Sequence, residues 1–186
     1  MAIFRILFLS AFGFLLLPGW YSSVAQGAEA GVEGVVKLPA PKPGASMPAR
    51  YQGGKVSAPV DPPAAIVYLE GDFPVAPAAP TLVKLEQKNL QFTPNLMAIR
   101  EGTTVAFPNL DDEFHNVLSG SRAKKLDLGR YRKDEKPPTV TFDKAGVVDL
   151  HCEIHKDMRA NIVVLKTPYF VKTSPDGRYR LENLPS

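Results

Sequence analysis

Short stretches in which hydrophobic and polar residues alternate follow one another along the chain from residue 81 onward. These stretches are rich in β-branched and aromatic residues, and Gly, Pro, Asn or Asp residues separate them, as is typical of strands joined by turns. The predicted strands are residues 82–92, 96–99, 103–107, 126–128, 139–142, 147–152 and 162–165. No window beyond residue 30 has the period of an amphipathic helix. The pattern predicts an all-β domain over residues 81–166, either a sandwich or a barrel.

A proline-rich extension over residues 31–80 precedes this domain. Ten of the 18 prolines of the chain lie between positions 39 and 80, and such a density of proline excludes helices. Two short stretches of strand-forming residues, 31–38 and 65–70, flank a predicted extended or polyproline loop over residues 39–63.

The last segment, residues 167–186, is predicted to be a small β-hairpin. Residues 169–173 and 178–181 are strand candidates, and Ser174-Pro175-Asp176-Gly177 between them has the proline and glycine positions of a β-turn. Because two strands alone are only marginally stable, we expect the hairpin to pack on other parts of the chain. The strands predicted at 31–38 and 65–70 are the candidates.

Residues 1–30 have the organisation of a secretory signal peptide. Arg5 precedes an apolar run over residues 6–17, and two small-x-small cleavage signals follow, at residues 23–25 and 28–30. The alternative is an uncleaved anchor, which is disfavoured because a membrane-spanning helix needs about 20 apolar residues. No later segment is apolar enough to span a membrane. We therefore expect an exported, periplasmic protein without a membrane span once the signal is removed.

The composition excludes several classes of protein. A net charge of +3 over 186 residues is small for a nucleic-acid-binding domain. A single cysteine excludes a disulfide within the chain, zinc sites with several cysteines and iron–sulfur clusters. Three histidines permit one modest metal centre and are too few for an enzyme with several copper centres.

Four residues carry the candidate chemistry, namely His115, Cys152, His155 and Met158. His155 follows Cys152 by three residues, Met158 follows His155 by three, and His115 lies 37 residues before Cys152. One thiolate, two imidazoles and one thioether are the donor set of a mononuclear blue-copper centre. Because side chains alternate along a strand, His151 is expected to point away from the sulfur of Cys152. We therefore interpret His151 as a surface residue and not as a ligand.

Other interpretations of these four residues are weaker. A lone buried cysteine, histidine or methionine is usually structural, but the ordered set with short spacing is specific. Structural zinc sites commonly contain several cysteines and rarely a methionine. A catalytic Cys–His pair could use His155 as its base, but it gives no reason for Met158 three residues later.

Several motifs between about residues 82 and 165 resemble those of the cupredoxins, and in particular of the plastocyanin and amicyanin group. The motifs are Phe92-Thr93-Pro94, Gly102-Thr103-Thr104-Val105, Phe107-Pro108-Asn109, His115-Asn116-Val117, Phe142 with Gly146, and the Cys152 loop. The short Cys-x-x-His-x-x-Met loop is similar to that of amicyanin. The complete chain resembles exported cupredoxin-domain proteins that are often labelled methylamine-utilisation proteins. Its segment from Tyr169 is similar to the start of a carboxypeptidase-regulatory-like β module, which we expect to be truncated at Ser186.

The resemblance implies a Greek-key β-sandwich that binds one type 1 copper ion through His115, Cys152 and His155, with Met158 as a weak axial ligand. It implies that Asn116 braces the two ligand loops by hydrogen bonds, and that electrons pass through a partly exposed His155. The expected function is one-electron transfer between copper(I) and copper(II), without enzymatic activity. The expected partner is a redox protein, such as a periplasmic dehydrogenase or a cytochrome.

Two alternative functions stay open. One is storage or delivery of copper without redox cycling, and the other is a β interaction or sensor module that copper merely stabilises. The small number of methionines and histidines weighs against delivery, because copper-transfer sites tend to be open and rich in these residues.

Charged residues predominate near the candidate ligands in the sequence, and only Phe114 and Ile154 are plainly apolar there. The charged residues are Asp111, Asp112, Glu113, Glu153, Lys156 and Asp157. If these residues surround His155, docking of a partner is sensitive to salt. A merely solvated rim is the alternative.

Overall fold

The computed structural model describes residues 2–6, 30–40, 61–73 and 81–185, and this part of the chain contains strands and no helix. The strands are β1 (Ala2–Ile6), β2 (Ala30–Val35), β3 (Ala65–Leu69), β4 (Leu82–Lys84), β5 (Glu86–Lys88), β6 (Gln91–Thr93), β7 (Leu96–Arg100), β8 (Thr103–Ala106), β9 (Leu118–Gly120), β10 (Lys125–Asp127), β11 (Thr139–Phe142), β12 (Gly146–His151), β13 (Arg159–Leu165), β14 (Phe170–Lys172) and β15 (Arg178–Leu184). The prediction of an all-β fold is confirmed.

Two sheets form a sandwich over residues 82–165. One sheet has five strands in the order β10-β9-β12-β13-β7, and the other has three in the order β11-β8-β4. Their facing side chains form one hydrophobic core, in which Val105 and Phe142 of the smaller sheet pack with Val148 and Ile162 of the larger one. Neighbouring strands are mostly distant in sequence, as in a Greek key. The two separate sheets make this fold a sandwich and not a barrel.

The stretch at residues 82–92, predicted as one strand, is divided among three strands. Strand β4 pairs in parallel with β8, whereas β5 and β6 pair with each other across a turn at Asn89 and Leu90. The φ angles of these two residues are 55° and 59°, as in the two-residue turns that join hairpin strands. The prediction of a single strand was wrong because a leucine gives no sequence signal for a left-handed backbone.

Strand β3 lies between the sandwich and the terminal strands, and both of its faces are buried. On one face Ile66 packs against residues of β7 and β13 in the five-stranded sheet. On the other face Ala65 and Val67 pack with Val36 and Leu181. The terminal segments therefore have a small hydrophobic core of their own, and β3 connects that core to the sandwich.

The C-terminal strands pack on the N-terminal strands, as expected. Strand β14 pairs with β3, and β15 pairs with β2, both in antiparallel fashion. A turn joins β14 to β15, and in it the N–H of Gly177 donates to the carbonyl of Ser174 at 2.9 Å. The two strands of the expected hairpin thus lie in different sheets, since each pairs with an N-terminal strand.

Two predictions fall largely outside the described residues. Residues 7–29 hold most of the predicted signal peptide, and residues 41–60 hold most of the predicted proline-rich loop. Strand β1 belongs to the predicted signal peptide and pairs in parallel with β3. Within the described ranges, no helix is long and apolar enough to cross a membrane.

Candidate metal centre

Cys152 directly follows β12, on the side of that strand that faces the core. Val148, Leu150 and Cys152 are buried, whereas Asp149 is exposed and His151 is partly exposed. The predicted alternation of side chains is therefore confirmed, and it directs the sulfur of Cys152 into the sandwich.

A tight loop leads the chain from Cys152 back into β13. The N–H of Cys152 donates to the carbonyl of Met158, and the N–H of Met158 donates to the carbonyl of His155, both at 3.0 Å. These hydrogen bonds close the loop and bring Nδ1 of His155 to 3.6 Å from Sγ of Cys152. Met158 is 1% exposed and belongs to the same hydrophobic core as Cys152.

His115 comes from a different segment, between β8 and β9. Its N–H donates to the carbonyl of Tyr131 at 3.2 Å, and its carbonyl accepts from the N–H of Tyr131 at 3.0 Å. The residue is completely buried. Its Nδ1 lies 3.9 Å from Sγ of Cys152 and 3.1 Å from Nδ1 of His155. The fold thereby brings together two segments that are 37 residues apart in the sequence.

The three donor atoms form a triangle with sides of 3.1, 3.6 and 3.9 Å. A circle through the corners of a triangle with these sides has a radius of about 2.1 Å, which is a typical bond length from a metal to nitrogen or sulfur. One thiolate and two imidazoles suit copper in both of its common oxidation states. In the described part of the chain, these residues are the one group of three or more His, Cys, Asp or Glu donors that could hold a metal ion. The residues present therefore fit a single copper ion.

The surroundings of the site favour a thiolate at neutral pH. Burial alone raises the pKa of Cys152, but hydrogen bonds from His115 and from three backbone N–H groups outweigh burial and lower the pKa to about 6. Burial likewise opposes protonation of His115, yet its hydrogen bonds to Asp111 and Cys152 raise the pKa to about 9. Because the thiolate is the form of cysteine that binds metals, the sulfur is already in its ligand form, whereas His115 must release the proton on Nδ1 when a metal ion binds.

Asn116 links the two ligand loops, as expected. The residue is 2% exposed. Its Nδ2 donates to the carboxylate of Glu153 in the Cys152 loop and to that of Asp127 at the end of β10, each at 2.9 Å. Glu153 also forms an ion pair with Arg130 at the surface. Asn116 follows His115 in the chain, and Glu153 follows Cys152. Their hydrogen bond therefore joins the two ligand loops directly.

Two residues in contact with the His115 segment were not anticipated from the sequence. Asp111 was expected to lie in a charged rim, but its side chain is only 14% exposed and its Oδ2 lies 2.9 Å from Nε2 of His115. Tyr131 is buried beside the same segment, and its hydroxyl donates to the carbonyl of Phe107 at 2.8 Å. The spacing of four residues between Asp111 and His115 was the sequence signal available for their contact. No sequence pattern indicated that Tyr131 lies beside this segment.

The surface beside the site combines apolar and charged residues. Leu110, Phe114 and Ile154 are 45%, 46% and 42% exposed, and each lies in one of the two ligand loops or next to it in the chain. The guanidinium of Arg132 lies over the ring of Phe114, 5.3 Å from its centre. Lys133 forms an ion pair with Asp112 at the same surface.

Known proteins share the sequence pattern of the sandwich and the candidate site. Residues 79–165 match the family described as copper binding proteins, plastocyanin/azurin family. Amicyanin from Paracoccus denitrificans is 28% identical over 97 residues, which cover 51% of this chain and 74% of amicyanin.

Two solved structures are similar at lower identity. A copper-containing nitrite reductase from Thermus scotoductus SA-01 is 22% identical, with a TM-score of 0.44, over 52% of this chain and 25% of the reductase. A copper(I) form of an amicyanin variant is 23% identical, with a TM-score of 0.42, over 47% of this chain and 86% of amicyanin.

A β-sandwich with a His–Cys–His cluster between its strand-connecting loops defines the class of small copper-binding sandwich proteins. Residues 79–165, which match the plastocyanin/azurin family of copper-binding proteins, form a cupredoxin domain. The predicted family and the predicted Greek-key sandwich are thereby confirmed.

Proposed function

We propose that this protein is an exported one-electron carrier with a single type 1 copper ion, held by His115, Cys152 and His155 and weakly by Met158. The triangle of donor atoms supports this proposal, because one point lies at a metal-bonding distance of about 2.1 Å from all three atoms. An ion bound there would supply one-electron chemistry between Cu(II) and Cu(I), with a reduced protein as the electron donor and an oxidised protein as the acceptor.

The contribution of the protein is to hold the ligands in one arrangement for both oxidation states. Cys152 and His155 are held by the hydrogen bonds that close their loop, and His115 by its backbone pairing with Tyr131. His115, Cys152 and Met158 are 0%, 5% and 1% exposed, so bulk water is kept from these side chains. A site that neither rearranges nor admits water loses little energy to reorganisation when it is oxidised or reduced.

The same burial supports a carrier over a delivery protein and over an enzyme. A delivery protein must hand its ion to another protein, which requires ligands that a partner can reach. An enzyme requires an open position for its substrate. With His115, Cys152 and Met158 buried and His155 only partly exposed, the site provides neither.

Electrons are proposed to enter and leave near His155, the partly exposed member of the triangle. Phe114 precedes His115 in the chain, Ile154 precedes His155, and both are exposed apolar residues. Glu153, next to Ile154, forms an ion pair with Arg130. A partner that docks here covers apolar residues and meets charges of both signs. We expect the association rate to fall as the salt concentration rises.

Addition of Cu(II) to the purified protein, followed by visible spectroscopy and voltammetry, tests the proposal. An intense blue band from thiolate-to-copper charge transfer, together with a reversible one-electron wave, is the expected result. Cys152→Ser should abolish the band, and His151→Ala, the control at the adjacent histidine, should leave it nearly intact. Colourless binding, or absence of binding, contradicts the carrier. A blue band without a reversible wave favours storage or a copper-stabilised module.

A further inference from the structure

The carboxylate of Asp111 contacts His115 on the side of the ring opposite the donor triangle. Oδ2 of Asp111 lies 2.9 Å from Nε2 of His115, while Nδ1 of the same ring faces Cys152 and His155. Both side chains lie away from solvent, since that of His115 is 0% exposed and that of Asp111 14%. The contact is therefore made in a poorly hydrated region, where a hydrogen bond to a carboxylate is strong.

Backbone groups hold this carboxylate in place independently of His115. The N–H of Asn89 donates to Oδ1 at 2.7 Å, and the N–H of Leu90 donates to Oδ2 at 2.9 Å. These two residues form the left-handed turn between β5 and β6. The N–H of Asp111 itself donates to Oδ1 of Asn109 at 2.9 Å. The oxygen that faces His115 is thus fixed by the hairpin turn and cannot swing away without breaking these bonds.

A carboxylate at this position has two chemical consequences for His115. As an acceptor it keeps a proton on Nε2, so that Nδ1 is the nitrogen available to a metal ion. Its negative charge, acting through the ring, also makes the imidazole a better electron donor, and a better donor stabilises a divalent ion more than a monovalent one.

We propose that Asp111 is a positioning residue that orients His115 and lowers the reduction potential of the copper site by stabilising Cu(II). This inference depends on the proposed function, because it concerns the potential of a copper ion held at the donor triangle. It goes further by assigning the tuning of that potential to a carboxylate outside the ligand set.

Three variants separate the hydrogen bond from the charge. Asp111→Ala removes both, and Asp111→Asn keeps the shape and one acceptor oxygen but removes the charge. Asp112→Asn is the matched control, because it removes the same charge from the neighbouring residue, whose side chain is 79% exposed and pairs with Lys133. The wild-type protein and all three variants are loaded with copper, and their Cu(II) affinities and reduction potentials are measured.

We expect Asp111→Ala to bind Cu(II) about 10- to 100-fold more weakly, the usual effect of removing a partner of a metal-bound histidine. Each tenfold loss of Cu(II) affinity relative to Cu(I) raises the potential by about 59 mV. Asp111→Asn should lie between Asp111→Ala and the wild type, and Asp112→Asn should match the wild type. Equal shifts in the Asp111 and Asp112 variants, or no shift in either, overturn the proposal.

Nuclear magnetic resonance of the metal-free protein provides a second readout that needs no copper. The Nε2 proton of His115 should be visible and slow to exchange in the wild type and in Asp112→Asn, and should exchange rapidly in Asp111→Ala. An unprotonated Nε2 in the wild type overturns the role of Asp111. If the wild type binds Cu(II) without a blue band, the carrier function fails, while the Nε2 signal and the ratio of Cu(II) affinities still decide the role of Asp111.

Discussion

Replacement of Gly177 by alanine tests how firmly the terminal strands are tied to the rest of the fold. Gly177 lies in the turn between β14 and β15 with a φ of +86°, a conformation that residues with a side chain rarely adopt. A Cβ at this position would overlap the backbone carbonyl of Val36. The N–H of Val36 meanwhile donates to the carbonyl of Gly177 at 2.8 Å, so the two backbones cannot separate without losing that bond.

The expected cost has two components. A left-handed backbone costs a residue with a side chain about 1–2 kcal/mol. Relief of the overlap breaks the hydrogen bond to Val36, which contributes about 1 kcal/mol, and it disturbs the packing of Val36 with Leu181. We expect Gly177→Ala to lower the free energy of unfolding by about 3 kcal/mol or more.

Gly102→Ala is the matched control. Gly102 has a φ of +89°, nearly the same as Gly177, but in the described part of the chain a Cβ there meets no atom within 4 Å. Its cost should therefore be the conformational component alone, about 1–2 kcal/mol. Urea denaturation of the metal-free proteins measures both values. Equal losses in the two variants would show that the close approach of Gly177 to Val36 is not a constraint, and would refute the reasoning.

Three further predictions concern the site, the packing and the processing of the chain. In the metal-free protein the ultraviolet absorbance of the Cys152 thiolate should be lost as the pH falls through about 6. His115→Ala should move this transition to higher pH, because it removes a hydrogen bond to the sulfur. A wild-type transition near the ordinary pKa of a thiol contradicts the hydrogen bonding of the sulfur. Ile66→Ala should lower the free energy of unfolding by about 2–5 kcal/mol while the blue band of the copper-loaded protein is retained, and unchanged stability would show that β3 does not pack on the sandwich. Mass spectrometry of the exported protein should find Gln26 or Gly31 at the N-terminus, and an intact Met1 would contradict cleavage.

Local patterns were sufficient for the strands whose side chains alternate between core and solvent. The stretch that ends at Cys152 is an example, because Val148 and Leu150 alternate there with Asp149. The pattern failed at Asn89 and Leu90, where a turn interrupts an otherwise strand-like sequence. Strand β9, with three residues, is too short for a periodicity to appear.

The sequence by itself determined the chemistry that is available to the site. A thiol, two imidazoles and a thioether in a fixed order define which metals the protein can bind, since donor type is a property of each side chain. The spacing of three residues from Cys152 to His155 and from His155 to Met158 also predicts one short loop, because so few residues span only a short distance.

Only the tertiary structure decided how close the donors come and what supports them. The packing of the strands in the sandwich brings Nδ1 of His115 to 3.9 Å from the sulfur of Cys152, although the two residues are 37 positions apart in the sequence. The turn between β5 and β6 likewise converts Asp111 from an expected surface charge into a hydrogen-bond partner of His115. Such contacts depend on which loops the packed strands place next to each other, and residues distant in the sequence carry no local sign of that arrangement.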